Sequence, residues 1–237
     1  MQGNKVKRIL EIDALRGVAI VLMIIYHFMF DLNFFGLMKI DLSDIMIVLF
    51  QRFIAVLFVG LVGISLVLNE LNNKRGYLTN LWRGFKLTNI AILITAATWL
   101  YPRDGFITFG IIHMIALSTF IAPLFFRLKK WNLVVGVVLI IGGIWLNLQQ
   151  TDSKLLFWLG LIYPGYEALD YYPLLPWFGV VLIGIALGQM IYPDGQSRIK
   201  NIKLLEQLAI LGKNSLVIYL LHQVLLVGII LIYLAVK

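Results

Sequence analysis

Cysteine is absent from the 237 residues, and with it go catalytic thiols, iron–sulfur clusters and zinc–thiolate sites. Charge is scarce. Asp, Glu, Lys and Arg make up 14% of the chain, against about a quarter in soluble domains. No run alternates apolar and polar residues as a half-buried strand does, which argues against an outer-membrane barrel. No glycine-rich phosphate loop occurs, and no histidine pair has the spacing of a metal-binding helix. Ser65 and Ser215 sit in VGISL and GKNSL, neither of which is a nucleophile elbow. What is abundant is apolar: 61% of residues are hydrophobic, well above the roughly 45–50% of soluble domains. The net charge of +8 suggests nucleic acid only until the basic residues are placed, because they scatter as flanks of long apolar runs. The composition is that of an integral membrane protein, with the lipid bilayer as a partner and no nucleic acid.

A helix needs about 20 mostly apolar residues to cross a hydrocarbon core of roughly 30 Å. Seven stretches qualify, at about 14–34, 45–68, 85–101, 108–126, 132–148, 173–192 and 214–236. With the N-terminus inside, the cytoplasmic segments hold Lys5, Lys7, Arg8, Arg16, Lys74, Arg75, Arg83, Lys86, Arg127, Lys129, Lys130, Arg198, Lys200, Lys203 and Lys213. The outer segments hold only Lys39, Arg103, Lys154 and Lys237, and Arg52 falls inside a span. Cytoplasmic loops favour Lys and Arg, so the expected fold is an all-α polytopic bundle of about seven transmembrane helices, N-in and C-out. The first stretch carries Arg16 and His27, with Asp13 at its cytoplasmic end, and lacks a small-x-small cleavage site, so it reads as a retained helix rather than a signal peptide. The outer loop 149–172 has an apolar centre, Leu155–Tyr163, too short to cross. The last stretch contains no lysine for a retinal Schiff base.

A charge at mid-bilayer costs at least ~2.5–3.5 kcal/mol, so ionisable residues in spans need a partner or a purpose. All three histidines, His27, His113 and His222, fall in spans, with Asp31 and Arg52. Arg16 and His27 are eleven residues apart, roughly 1100° of helical turn and therefore one face, separated by about 16.5 Å of rise. Asp13, Arg16, Ile20, Met23, His27 and Asp31 continue that stripe in i+3 and i+4 steps. Asp31 is placed to accept a hydrogen bond from a His27 ring nitrogen, fixing its tautomer. Arg52 reaches the depth of His27, either to pair with Asp31 or to hold an anionic or carbonyl group of a substrate. His222 lies about 13 Å beyond Lys213 by helix rise. Asn214 and Gln223 are weaker candidates, since amides are ordinary helix–helix glue. Each buried histidine also has a purely structural reading, as a polar residue bonded to a neighbouring helix.

The string RILEIDALRGVAI at 8–20, followed by His27-Phe28 and Asp31-Leu32, is similar to the start of the bacterial and archaeal heparan-α-glucosaminide N-acetyltransferase-like family. The segments FGIIH at 109–113, PLLPWFG at 173–179 and GKNSLVIYLLHQ at 212–223 resemble that family in the same order. The spacing of Arg16 and His27 also resembles the signature of the broader transmembrane acyltransferases that acetylate surface polysaccharides. The resemblance implies one transmembrane acyltransferase-like domain over 1–237 in the cell membrane. It implies transfer of an acetyl group from cytoplasmic acetyl-CoA, without a metal, to a glycan or another outward-facing acceptor. On that reading Arg16 and Asp13, with Lys213, Arg83 and Lys86, form the mouth that takes CoA. His27 is the general base or acyl carrier, and Arg52, His113 or His222 stabilises the oxyanion. The competing expectation is a transporter or channel that uses the same residues as a proton or anion relay. A homodimer is compatible with either.

Overall fold

The computed structural model describes residues 8–73, 75–101, 103–199 and 202–237. Lys5, Lys7, Lys74 and Lys200, counted above among the cytoplasmic charges, lie outside them. In chain order the helices are α1 (Leu10–Phe34), α2 (Ile45–Asn72), α3 (Gly76–Leu100), α4 (Ile111–Ile121), α5 (Trp131–Asn147), α6 (Leu174–Ile191), α7 (Lys203–Lys213) and α8 (Ser215–Val236). Short 3-10 segments cover Ala122–Leu128 and Phe157–Leu159. Among the described residues there is no strand beyond an isolated bridge of Gln150 with Ile162.

Every expected apolar stretch falls on helix. Among the described residues five helical segments are long and apolar enough to cross a membrane: α1, α2, Ile111–Leu128, α6 and α8. The stretch at 132–148 is the shorter apolar helix α5, of 17 residues. The stretch at 85–101 is the C-terminal part of α3, a helix whose hydropathy is diluted by Asn80, Arg83, Lys86 and Asn89. One helix was not expected. Residues 203–213 read as a cytoplasmic loop by composition, yet Lys203–Lys213 forms α7. Eleven residues with Lys203, Glu206 and Lys213 on one side are too short and too polar to register as a span, but they suffice for an amphipathic helix.

The chain forms two compact units. The terminal unit comprises Arg8–Phe58 and Ser197–Lys237, hence α1, the first half of α2, α7 and α8. The central unit comprises Val59–Gln196. In the central unit α5 packs on α6 through Gly136 and Gly179. A Cβ on Gly136 would come within 2.7 Å of the Gly179 carbonyl oxygen. Lipid offers helices no hydrophobic reason to associate, so this backbone approach supplies the contact that side chains would hold apart. The loop at 149–172 is stitched to the same unit. The Tyr171 hydroxyl donates to the Phe157 carbonyl (2.7 Å), and the Tyr166 and Thr108 hydroxyls lie 2.6 Å apart. In the terminal unit α1 and α7 are equally close. A Cβ at Gly212 would strike the Asp13 carbonyl, and one at Gly17 the Leu208 carbonyl. Ile20, Met23 and Ile54 form the buried apolar cluster of this unit, covered by Phe50, Phe58, Ile218 and Tyr219.

Candidate functional site

The stripe read from α1 is the buried face of that helix. Asp13, Ile20, Met23 and Asp31 are buried, and Arg16 and His27 are half-buried. At its N-terminal end Arg16 Nη1 donates to Asp13 Oδ1 (2.8 Å) and more weakly to the Gly212 carbonyl (3.4 Å). Arg8 adds a looser ion pair to Asp13 at 3.9 Å. Glu11, which carried no signal in the sequence, is buried and accepts from the Ser197 hydroxyl (2.6 Å) and the Arg198 N–H (2.7 Å). It ties the approach to α7 onto the start of α1. Lys213 ends α7 and is exposed.

The chain breaks at Asn214 (φ −101°, ψ 11°) and restarts as α8. Ser215 and His222 are seven residues apart, which is about 20° short of two full turns, and both are buried. The restart thus turns His222 inward. His222 Nδ1 lies 2.6 Å from the Tyr219 carbonyl oxygen. A carbonyl only accepts, so Nδ1 carries the proton and Nε2 presents a lone pair. Nε2 is buried and has no hydrogen-bond partner. The rings of His27 and His222 stand edge to face with centroids 4.8 Å apart, so the two histidines, one from each end of the sequence, form a pair.

Asp31 does not hold His27. Its Oδ1 accepts from Gln223 Nε2 at 2.7 Å, because the longer amide, next to His222 on α8, reaches the carboxylate directly. Asp31 Oδ2 and Gln223 Oε1 are buried and unpartnered. With His222 Nε2 that makes three acceptor atoms without a donor, on Asp31 and on two adjacent residues of α8. Buried polar groups are almost always satisfied, and each orphan costs about 1–3 kcal/mol. All three atoms have a lone pair left to accept a hydrogen bond. Gln223, a weaker candidate on the sequence, is among them. Arg52, on the terminal unit's part of α2, is exposed.

The remaining expected residues belong to the central unit. Arg83 and Lys86 lie one turn apart on α3, half-buried and exposed respectively. His113 sits in the first turn of α4 with both ring nitrogens engaged. Gly110 N–H donates to Nδ1 (3.2 Å), and Nε2 lies 3.0 Å from Thr95 Oγ1, whose own hydroxyl donates to the Ile107 carbonyl (2.7 Å). That network fits a neutral imidazole with its proton on Nε2, used to cap a helix. Beside it, Asp170 Oδ2 accepts the Ile111 N–H (2.9 Å). Loss of water pushes this loop carboxyl up to about 6, against the N–H bond that favours its charge. Among the described residues no cluster of three or more His, Cys, Asp or Glu is arranged to hold a metal.

No curated protein and no solved structure matches the chain. A family model described as "Heparan-alpha-glucosaminide N-acetyltransferase, catalytic" matches residues 8–224, from the arginine beside Asp13 to the residue after Gln223. That match takes in the histidine pair and nearly the whole sequence, and the chain therefore belongs to the heparan-alpha-glucosaminide N-acetyltransferase catalytic family, whose activity is acetyl transfer at a membrane.

Proposed function

We propose that this protein transfers an acetyl group from cytoplasmic acetyl-CoA to a hydroxyl or amine, foremost of a glycan, on the outer side of the cell membrane. In this reading residues 1–237 work as one seven-span domain, N-in and C-out. Arg16 and Lys213 supply positive charge for the CoA phosphates at the cytoplasmic end of the stripe, with Asp13 holding Arg16 in place. Arg83 and Lys86 are further candidates to meet the CoA phosphates. The pantetheine arm runs along the stripe and brings the thioester to His27 and His222.

The observation that carries the chemistry is the set of orphan acceptors at His222, Gln223 and Asp31. An acceptor hydroxyl or amine is a donor, and it fits a site with lone pairs to spare. Its oxygen or nitrogen attacks the thioester carbonyl carbon while His222 Nε2 removes its proton. The C–S bond then breaks, and the CoA thiolate leaves and takes that proton back. The Tyr219 carbonyl keeps His222 in the tautomer that makes Nε2 the base. His27 lies against the ring that becomes imidazolium, or carries the acetyl group if transfer proceeds in two steps. Arg52 is a further candidate to steady the oxyanion.

Free CoA thiol can be read in nanodisc-embedded protein against a zero background, since the chain has no cysteine. With acetyl-CoA as donor and glucosamine as acceptor probe, His222→Ala lowers CoA release about 10²–10⁴-fold while acetyl-CoA binding survives. Arg16→Ala weakens binding instead. Full turnover in both His222→Ala and His27→Ala overturns the assignment. Absence of acetyl-CoA binding in folded protein, with proton flux that depends on these histidines, replaces it with the relay reading.

A further inference from the structure

In the central unit the 3-10 segment and α5 are joined by Arg127-Leu128-Lys129-Lys130-Trp131, which puts three cations in four residues. The turn is a fixed one. Lys129 sits at φ 49°, Asn132 Nδ2 donates to the Phe125 carbonyl (2.9 Å), and Gln189 Nε2 donates to the Phe126 carbonyl (2.8 Å). With Leu71, Gln189, Met190 and Pro193, the turn encloses an open cleft of about 640 Å³. Leu71 is next to last in α2, Met190 next to last in α6, the 3-10 segment ends at Leu128, and α5 begins at Trp131. Every wall of the cleft is a helix end, so it opens where apolar helices leave the hydrocarbon layer.

Its chemistry is two-sided. Arg127, Lys129 and Lys130 are exposed and take part in no ion pair among the described residues, and no acidic residue lines the cleft. Leu71, Leu128, Trp131 and Met190 supply an apolar wall that is also largely exposed. Three crowded cations repel one another unless an anion is shared among them, and an apolar wall does nothing for a small hydrophilic ion. A ligand with a phosphate at one end and an alkyl chain at the other satisfies both. We infer that this cleft binds the phosphate group of an anionic phospholipid, held by Arg127, Lys129 and Lys130, with an acyl chain lying along Leu71, Leu128, Trp131 and Met190. The volume exceeds what a phosphate ion needs, and the walls of the site are helix ends.

The test uses delipidated full-length protein in detergent, titrated with dioleoyl phosphatidylglycerol, dioleoyl phosphatidylcholine, inorganic phosphate or free CoA, and read by thermal shift and by lipid retention in native mass spectrometry. Phosphatidylglycerol binds and stabilises, and phosphatidylcholine does not. Arg127→Gln, Lys129→Gln and Lys130→Gln each weaken binding about fivefold, and the triple variant loses it. The control Arg103→Gln/Lys154→Gln/Lys237→Gln removes the same charge elsewhere and keeps it. Equal binding of the two lipids, or unchanged binding by the triple variant, overturns the inference. So does an equal loss in the control. Stabilisation by phosphate or CoA alone, lost in the triple variant, makes this a site for soluble phosphates rather than lipid. If the triple variant does not fold, the wild-type salt dependence decides: binding to the cations weakens steeply with added NaCl, and salt-independent binding overturns the inference. None of these readouts depends on acetyl transfer.

Discussion

His113 and His222 look alike in the sequence, each a lone imidazole in an apolar span, and they part company over what the second ring nitrogen meets. In His113 both nitrogens are engaged, by the Gly110 N–H and the Thr95 hydroxyl. In His222 one is held by a carbonyl and the other meets nothing. His113→Leu should therefore strand the Gly110 N–H and lower the stability by about 1–3 kcal/mol, without lowering acetyl transfer per folded molecule. Melting temperature and CoA release, measured on the same preparation, separate the two effects. The Asp31–Gln223 bond makes a second residue-scale prediction. Gln223→Leu leaves Asp31 buried without its donor and should cost about 1–3 kcal/mol, whereas Asp31→Leu/Gln223→Leu removes both partners and recovers most of it. Thermal melts of the single and double variants close that cycle. No sequence pattern announces this bond, because its partners are 192 residues apart and an amide in a span is usually plain helix glue.

At the scale of elements, α1 was legible because its stripe is a local property, set by about 100° of turn per residue. Its contact with α7 was not. Gly17 and Gly212 read as two small residues until the backbones are seen to touch at the Leu208 and Asp13 carbonyls. Gly212→Ala should force α7 off α1 and destabilise by about 1–3 kcal/mol, with weaker acetyl-CoA binding through the displaced Arg16, as a melt and a binding isotherm will show. The start of α4 carries a pH dependence. Folding raises the Asp170 carboxyl to about 6 from a usual value near 4, so the folded chain holds that proton more tightly than the unfolded one. Stability of the central unit should fall as pH rises from about 4 to about 6 and then level off. Asp170→Asn should flatten that slope in melts taken across the interval.

At the scale of the whole molecule the cysteine-free sequence allows topology to be read one site at a time. Under the N-in, C-out arrangement Asp152→Cys should react with a membrane-impermeant maleimide in right-side-out vesicles, and Gln196→Cys only after permeabilisation. The reverse pattern inverts the orientation. Membrane residence, helical fold, the polar stripe of α1 and the family all followed from the sequence alone, because they rest on composition, on the helical repeat and on short contiguous motifs. Only the tertiary structure brought His27 beside His222 and gave Asp31 to Gln223. It likewise spent both nitrogens of His113 on a helix start and left His222 Nε2 bare. Those outcomes depend on where α8 restarts after Asn214 and on which helix faces which. A periodic pattern says which face of a helix is polar, but the partner on the other side is set by packing between residues at opposite ends of the chain.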